Sequence, residues 1–537
     1  MVALTASLGS LATGCRIDED NIRRWETTLH GPEKLQAVLG HDKYEIPLRV
    51  EAALSLIRMK PRGGRPIGAE GMVETFASMS PEARQPLLAA LVPAMIAELK
   101  KPPPVVQAGQ PAPPDPSLAF KDAAYALLTF ERTVLITDEP LRAQLRAALS
   151  EWAMADFERR LENRTQTYGM EQLLRMLGPE SVVPLPKLMT RDARNLDKMS
   201  TLVADLGSDA TKESASVALV DIAKHVVSQE WVKVKTPQVE AANKASKLEP
   251  TPEQFKAQLD QYQDEELFRV LGSLKKVGGR AAIDFALGFA ADKNQSEKRR
   301  VAALAAVEGK LDRKSAEDLK RIFEIARSES PPSVLDQAFR RIGELPREVV
   351  IEKLYETFKS ENWRVRRAAA STALSMSKLA QVDEFLGRLP EGDGKGFAMP
   401  EAIGYGATIG DYKEGKPRDA LKKWLGEGTP AQRTTAVSFY LTHGTPDDLA
   451  TLASLERDGS RVPVCEADAD CKWACYVPKE SDPKERELRD IKTLGEYVTL
   501  CVVPAIKERA AEAAKKKDEP KPGGDAPKTG GDAPKSP

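Results

Sequence analysis

Between Glu361 and Leu379, in ENWRVRRAAASTALSMSKL, positions Val365, Ala369, Thr372, Met376 and Leu379 recur three or four residues apart. That interval places them on one face of a helix. Ala368, Ala370 and Ala373 fill the gaps, and residues this small let a second helix approach closely. Pro47–Met59 repeats the pattern, with Leu48, Ala52, Leu56 and Met59 on one face. Helical spacing predicts further elements over Asn21–Leu39 (broken at His30-Gly31-Pro32), Pro81–Leu99, Leu118–Phe130, Leu141–Leu161, Met170–Leu177, Arg191–Leu206 and Lys212–Val227. Beyond Pro252 it predicts Glu265–Val277, Gly279–Phe289, Glu297–Leu311, Lys314–Ala326, Pro332–Leu345 and Arg347–Phe358. In Pro332–Leu345 the shared face is Ala338, Ile342 and Leu345.

Several stretches interrupt this rhythm. Lys100–Pro116, KKPPPVVQAGQPAPPDP, is too rich in proline to continue a helix and reads as a linker or a long loop. Arg62–Gly71 carries glycines at 63, 64, 68 and 71. It lacks the G-x-x-x-x-G-K-[ST] spelling and a preceding strand that a phosphate loop needs, so it reads as a loop between helices. Thr236–Thr251 is polar and flanked by proline, and reads as a loop or weak boundary. Past Lys515 the chain holds GGDAPK twice and nothing apolar larger than Ala or Pro, the composition of a disordered tail.

The helical units recur. Arg300, Leu335 and Arg366 hold equivalent places in their units, 35 and 31 residues apart, and Arg433 lies 67 residues beyond Arg366. Arg49 and Arg366 each precede an alanine-rich run. A short polar turn leading into V-R-x-x-A and a later A-L, recurring every ~30–45 residues with two helices per unit, resembles the second helix of a HEAT repeat. The resemblance covers roughly residues 20 to 455. It implies an all-α, HEAT-like solenoid of stacked antiparallel helix pairs, whose surface binds protein partners. It also implies that the repeat arginines Arg49, Arg300, Arg366 and Arg433 bond to an acid or carbonyl of the preceding turn. The competing reading of Arg299, Arg300, Arg364, Arg366 and Arg367 is a basic strip that captures a ligand.

Composition narrows the class. The chain has 537 residues, of which 41% are apolar, 30% charged and 6% aromatic. Few aromatics and an abundance of Ala, Leu, Glu, Lys and Arg favour helix over sandwich or barrel. With 79 basic and 80 acidic residues the net charge is −1, so no global field draws the chain to nucleic acid. No run of ~20 apolar residues is present to span a bilayer.

Five cysteines divide one to four: Cys15, then Cys465, Cys471, Cys475 and Cys501. MVALTASLGSLATGC is free of charge, and the composition turns polar and charged at once after Cys15. The small residues Ala12-Thr13-Gly14 before Cys15 resemble a bacterial lipobox, which implies lipidation of Cys15. Arg16 then weakly favours the outer membrane by the sorting rule of that class. Against this, no Lys or Arg precedes the apolar run, as a secretory leader requires, and Leu11 stands one place too far from Cys15. The other readings are an N-terminal helix with one buried cysteine, and a cytoplasmic adaptor. Four cysteines within 37 residues read as two disulfides of an exported protein, with three connectivities open. Zinc is the rival, but the spacings differ from C-x₂₋₄-C pairs and no histidine lies near. Glu466, Asp468 and Asp470 alternate as calcium ligands can, without the glycine and distal Glu of an EF-hand.

No catalytic constellation stands out. His30, His41, His225 and His443 are scattered, and neither HExxH nor G-x-S-x-G occurs. The expectation is therefore no enzyme, no metal and no cofactor. The chain divides into a leader (1–15), N-terminal HEAT-like helices (16–99), the proline-rich segment (100–116), the solenoid (117–455), a cysteine-rich segment with a final helix (456–514) and a tail (515–537). The functional expectation is a scaffold for protein partners at the cell envelope, held by a lipid on Cys15. The alternatives are an enzyme or ligand carrier with a site between repeats, and the cytoplasmic adaptor.

Overall fold

In a computed structural model the described residues are 17–59, 68–105, 113–327, 330–377, 381, 384–385, 388, 416–428, 430–462, 474–479, 481–482 and 485–518. The fold is all-α, a solenoid of HEAT-like helix pairs, with one two-stranded sheet among these residues. It divides into two compact units, residues 1–282 and 283–537.

The first unit begins with α1 (Glu19–Trp25), α2 (Gly31–Gly40) and α3 (Ile46–Arg58). Next come α4 (Ala69–Ser78), α5 (Pro81–Leu99), α6 (Ser117–Thr129) and α7 (Glu139–Ala155). Even-numbered helices stack on one another, α2 on α4 and α4 on α6, while α3, α5 and α7 form a parallel row. Each helix thus buries two flanks. Leu87, Leu88, Leu91, Val92 and Met95 of α5 are all at most 1% exposed. At about 1.5–3 kcal/mol per buried aliphatic side chain, most of this gain comes from the neighbouring pair. Arg160, Asp115 and Ser117 tie the end of the proline-rich segment to Trp152, whose indole N–H donates to Ser117 Oγ at 2.7 Å.

The remaining helices are α8 (Phe157–Glu162), α9 (Met170–Leu177), α10 (Leu185–Leu188), α11 (Leu196–Leu206), α12 (Asp209–Val226), α13 (Gln229–Ala245) and α14 (Pro252–Val277). The expected loop over Thr236–Thr251 is mostly α13. Ser228 accepts the Trp231 N–H at its start, and the helix continues through Pro237. Only Trp231, Val239 and Asn243 are buried on α13, so its apolar stripe is too thin to read from the sequence. A capping box of Thr251 and Gln254 starts α14 well before the expected Glu265. The helix expected over Leu141–Leu161 is two, α7 and α8, broken at Asp156 (φ −152°, ψ 54°).

Most of α15 (Arg280–Ala291) and all of α16 (Glu297–Ala306) belong to the second unit, where α17 (Ala316–Arg327) pairs with α18 (Pro332–Gly343) and α19 (Arg347–Thr357) with α20 (Trp363–Ser375). The second helices α16, α18 and α20 pack directly on one another, and α18 and α20 also pack on α17 and α19. The first helices approach each other less closely. The row of second helices is therefore the inner side of this stack.

On α20 the buried face is Val365, Arg366, Ala369, Ala370, Ala373 and Leu374. The expected face is rotated from this: Thr372 and Met376 are only half-buried, and Leu379 lies outside the described residues. A helix covered on two flanks cannot be oriented by a single-stripe reading.

Further on, the helices Lys416–Glu427 and Pro430–His443 pair, and the second rests on a final helical run. Helical spacing predicts that run over Asp490–Ala514, with Leu494, Val498, Cys501 and Val502 on its inner face. Instead residues 486–490 form β2, antiparallel to β1 (Ala474–Pro478), with Ala474 opposite Asp490 and Pro478 opposite Arg486. The helix starts at Leu494 behind a Thr493–Glu496 capping box. It widens to a π-turn over Tyr497–Val502 and returns to α over Val503–Asp518. The widened turn sits just before Pro504, which has no N–H to donate. Leu494, Val498, Cys501 and Val502 face inward as the spacing predicts.

Candidate functional site

The repeat arginines share one geometry. Arg49, Arg300, Arg366 and Arg433 are each the fourth residue of their helix. Arg49, Arg300 and Arg433 turn back to the end of the helix before them, and Arg366 to the turn that joins α19 to α20. Arg49 Nε donates to the Leu39 carbonyl at 2.9 Å, and Arg300 Nε to the Ala290 carbonyl at 2.7 Å. Arg366 Nη1 donates to the carbonyls of Ser360 and Glu361 at 2.7 and 2.9 Å. Arg433 Nε donates to Gly428 at 3.1 Å, and its Nη1 pairs with Asp458.

A helix leaves its last four carbonyls without partners and carries partial negative charge there. A guanidinium brought in from the next helix answers both. Burial pushes the Arg49 pKa down against the opposing pull of Asp42. Arg84, also fourth in its helix and buried, donates to the Phe76 carbonyl and is a fifth member. The signal was present in Ser80-Pro81-Glu82-Ala83-Arg84, a cap followed by the arginine at the repeat's place. Arg509 does the same job from outside the repeats, donating to the carbonyls of Leu441 at 2.5 Å and Gly444 at 3.0 Å. Nothing in its local sequence marks it.

The expected basic strip therefore divides. Arg300 and Arg366 point inward, while Arg364 and Arg367 line a groove on the inner side of the second unit. This groove encloses about 880 Å³ between α18 and α20 and is open to solvent. Leu335, Phe339 and Ala368 supply apolar surface, and Ser371, Thr372 and Ser375 supply hydroxyls. Seven charged residues complete it: Glu308, Asp336, Arg340, Arg341, Glu344, Arg364 and Arg367. Arg341, only 5% exposed, pairs with Glu344 at 2.7 Å and lies 3.8 Å from Glu308. Leu335, at the repeat-arginine position of α18, is buried in the groove wall, and Arg341 supplies the buried guanidinium of that helix from its last turn.

Small-molecule sites are concave and mostly apolar, with few polar groups. This groove is broad and charged, and no histidine or cysteine lines it. Its hydroxyls have no histidine beside them in the lining to act as base. Among the described residues no cluster of three or more His, Cys, Asp or Glu is placed to hold a metal, and no helix is long and apolar enough to cross a membrane.

Cys475 and Cys501 are joined by a disulfide with Cα atoms 5.8 Å apart. It fastens β1 to the π-turn. Cys15, Cys465 and Cys471 lie outside the described residues, as do Glu466, Asp468 and Asp470.

No family model and no curated protein matches the chain. Among solved structures it is similar to Kap121p bound to Ste12p, at 14% identity and a TM-score of 0.28, over 82% of this chain and 44% of that one. It is similar to Kap121p bound to Nup53p at 11% identity and a TM-score of 0.28, over 93% of this chain and 57% of that one. A Kap121p mutant gives 14%, 0.27, 82% and 44% in the same terms. The chain thus spans about half the length of the structures it matches. At such scores the likeness bears on neither partner nor role, and the fold stands on the helix packing itself.

Proposed function

We propose that the protein is a non-catalytic helical scaffold that holds a protein partner along the inner face of α16, α18 and α20. The groove between α18 and α20 carries this reading. Its apolar floor of Leu335 and Phe339 is rimmed by exposed Arg340 and Arg367. Apolar centres with arginine at the rim are typical of protein interfaces. A photo-crosslinking residue at Ser371 should capture a specific partner from extracts of the source cells. Replacing Arg340 and Arg367 with Glu should abolish the capture. A crosslink pattern unchanged by that double substitution would refute the groove as the binding face.

We further propose export to the bacterial envelope and lipid anchoring through Cys15. The Cys475–Cys501 disulfide supports an oxidising compartment, and the leader's composition supports the anchor. Mass spectrometry of the native protein is the test. The expected result is an acylated N-terminal Cys15 with Cys465 and Cys471 also oxidised. An unmodified N-terminus with free thiols sinks this part and leaves the cytoplasmic adaptor.

A further inference from the structure

The first unit carries a second groove, on the opposite kind of surface, between the first helices α4 and α6. Two adjoining cavities of about 600 and 380 Å³ share Glu74, Phe130 and Arg132. Glu70 and Glu131 add carboxylates to the larger cavity, and Tyr168 forms its far wall. All three glutamates are exposed, while Phe130 and Tyr168 are half-buried. Arg132 lies with its guanidinium carbon 5.0 Å from the centre of the Phe130 ring and pairs with Glu74. A guanidinium from the protein itself therefore already rests in the groove, held by an aromatic face and a carboxylate.

The walls are built rather than incidental. Tyr168 stacks on Tyr125 with ring centres 4.4 Å apart. Its backbone N–H donates to Asp122 at 3.2 Å, as does that of Thr167 at 2.9 Å. The strand of chain after Phe130 is pinned to α5, where Gln85 donates to the Leu135 carbonyl at 2.7 Å. Leu135 and Ile136 are each 1% exposed. The local field is negative: burial, Glu70 and Asp122 together push the Tyr168 hydroxyl above its ordinary pKa of 10.0.

We propose that this groove binds an arginine- or lysine-bearing segment of a partner protein, with Arg132 as its built-in competitor. Three carboxylates face one cation in the larger cavity. A second cation is thus accommodated electrostatically, and cation–π contact with Phe130 and Tyr168 orients it. Arg132 is 70% exposed in its side chain, so it can swing clear at little cost. The inference is independent of the groove on the second unit and of the lipid anchor.

The test uses the full chain and an acetylated, amidated hexapeptide alternating Gly and Arg, followed by titration calorimetry. Wild type should bind it, and a Glu-for-Arg version of the peptide should not bind. Glu70→Lys with Glu74→Lys should weaken binding tenfold or more, whereas Glu317→Lys with Glu324→Lys, an equal charge change at exposed sites on α17, should leave it within twofold. Arg132→Ala should strengthen binding two- to tenfold by removing the competitor. Circular dichroism confirms that each variant is folded. The proposal is overturned by no binding at millimolar peptide, by equal weakening from the control substitution, or by an Arg132→Ala variant that binds more weakly. The Ser371 crosslink reports on the other groove, so either result stands without the other.

Discussion

The buried repeat arginine is open to a quantitative test at Arg300. It is 4% exposed, and its donors reach the Ala290 carbonyl at 2.7 Å and Ser330 Oγ at 2.9 Å. Arg300→Met keeps most of the volume and removes both donors. A hydrogen bond to a charged group contributes about 1.5–3 kcal/mol, and a buried acceptor left alone costs about 1–3 kcal/mol. Relief from burying a cation offsets part of this. The serine hydroxyl can turn to another acceptor, so the carbonyl dominates and the net loss is about 2–3 kcal/mol. In a solenoid that loss stays near the substituted repeat. Native-state hydrogen exchange of α15 and α16 should therefore speed up about 30- to 140-fold, at 1.4 kcal/mol per tenfold. Exchange in α2 and α3 should not change. Lys298→Met, an exposed neighbour in the same first turn, is the control. Equal exchange in the two variants would refute the view that the arginine holds the preceding helix end.

Three further outcomes are expected. Cys501→Ala opens the link across 26 residues. It should destabilise the C-terminal segment by about 3 kcal/mol in urea unfolding, and a reductant should do the same to wild type and nothing more to the variant. Burial pushes the Asp458 carboxyl up, but bonds from Ser460 and Arg433 outweigh it and hold it below the ordinary 3.8. A depressed carboxyl contributes stability above its unfolded pKa and loses it as pH falls through the folded one. Asp458→Asn should flatten the acid-induced loosening of the Pro430–His443 helix below about pH 4, read by hydrogen exchange. Finally, Asp122→Asn weakens the bonds from the backbone N–H groups of Thr167 and Tyr168. It should open the 163–169 loop to limited proteolysis, and an unchanged cleavage pattern would show that the loop is held by other contacts.

Much of this architecture was readable along the chain. Helical spacing located α3, α5, α6, α12, α18 and α19 to within a few residues, because each has a stripe of aliphatic or alanine positions wide enough to register. It failed at α13, where three buried residues leave no stripe, and at β2, where RELRD is exposed at every position. That hairpin owes its place to Cys475 bonding to a residue 26 positions away, a pairing among three that spacing left open. The repeat arginines were visible as a recurrence, yet whether they faced a ligand or the chain was not.

Local sequence decided what local energetics can decide: helix period, capping residues, proline breaks and the alanines that admit a close neighbour. Only the folded chain decided which flank of a helix is covered, since α18 is buried between α16 and α20, each a full repeat away, and α20 against both α18 and α19. It alone also sent Arg366 inward to a carbonyl and Arg367, one residue on, outward to a groove. The two differ by the 100° turn of one helical residue. Which of those directions meets protein and which meets water depends on where the neighbouring helices stand.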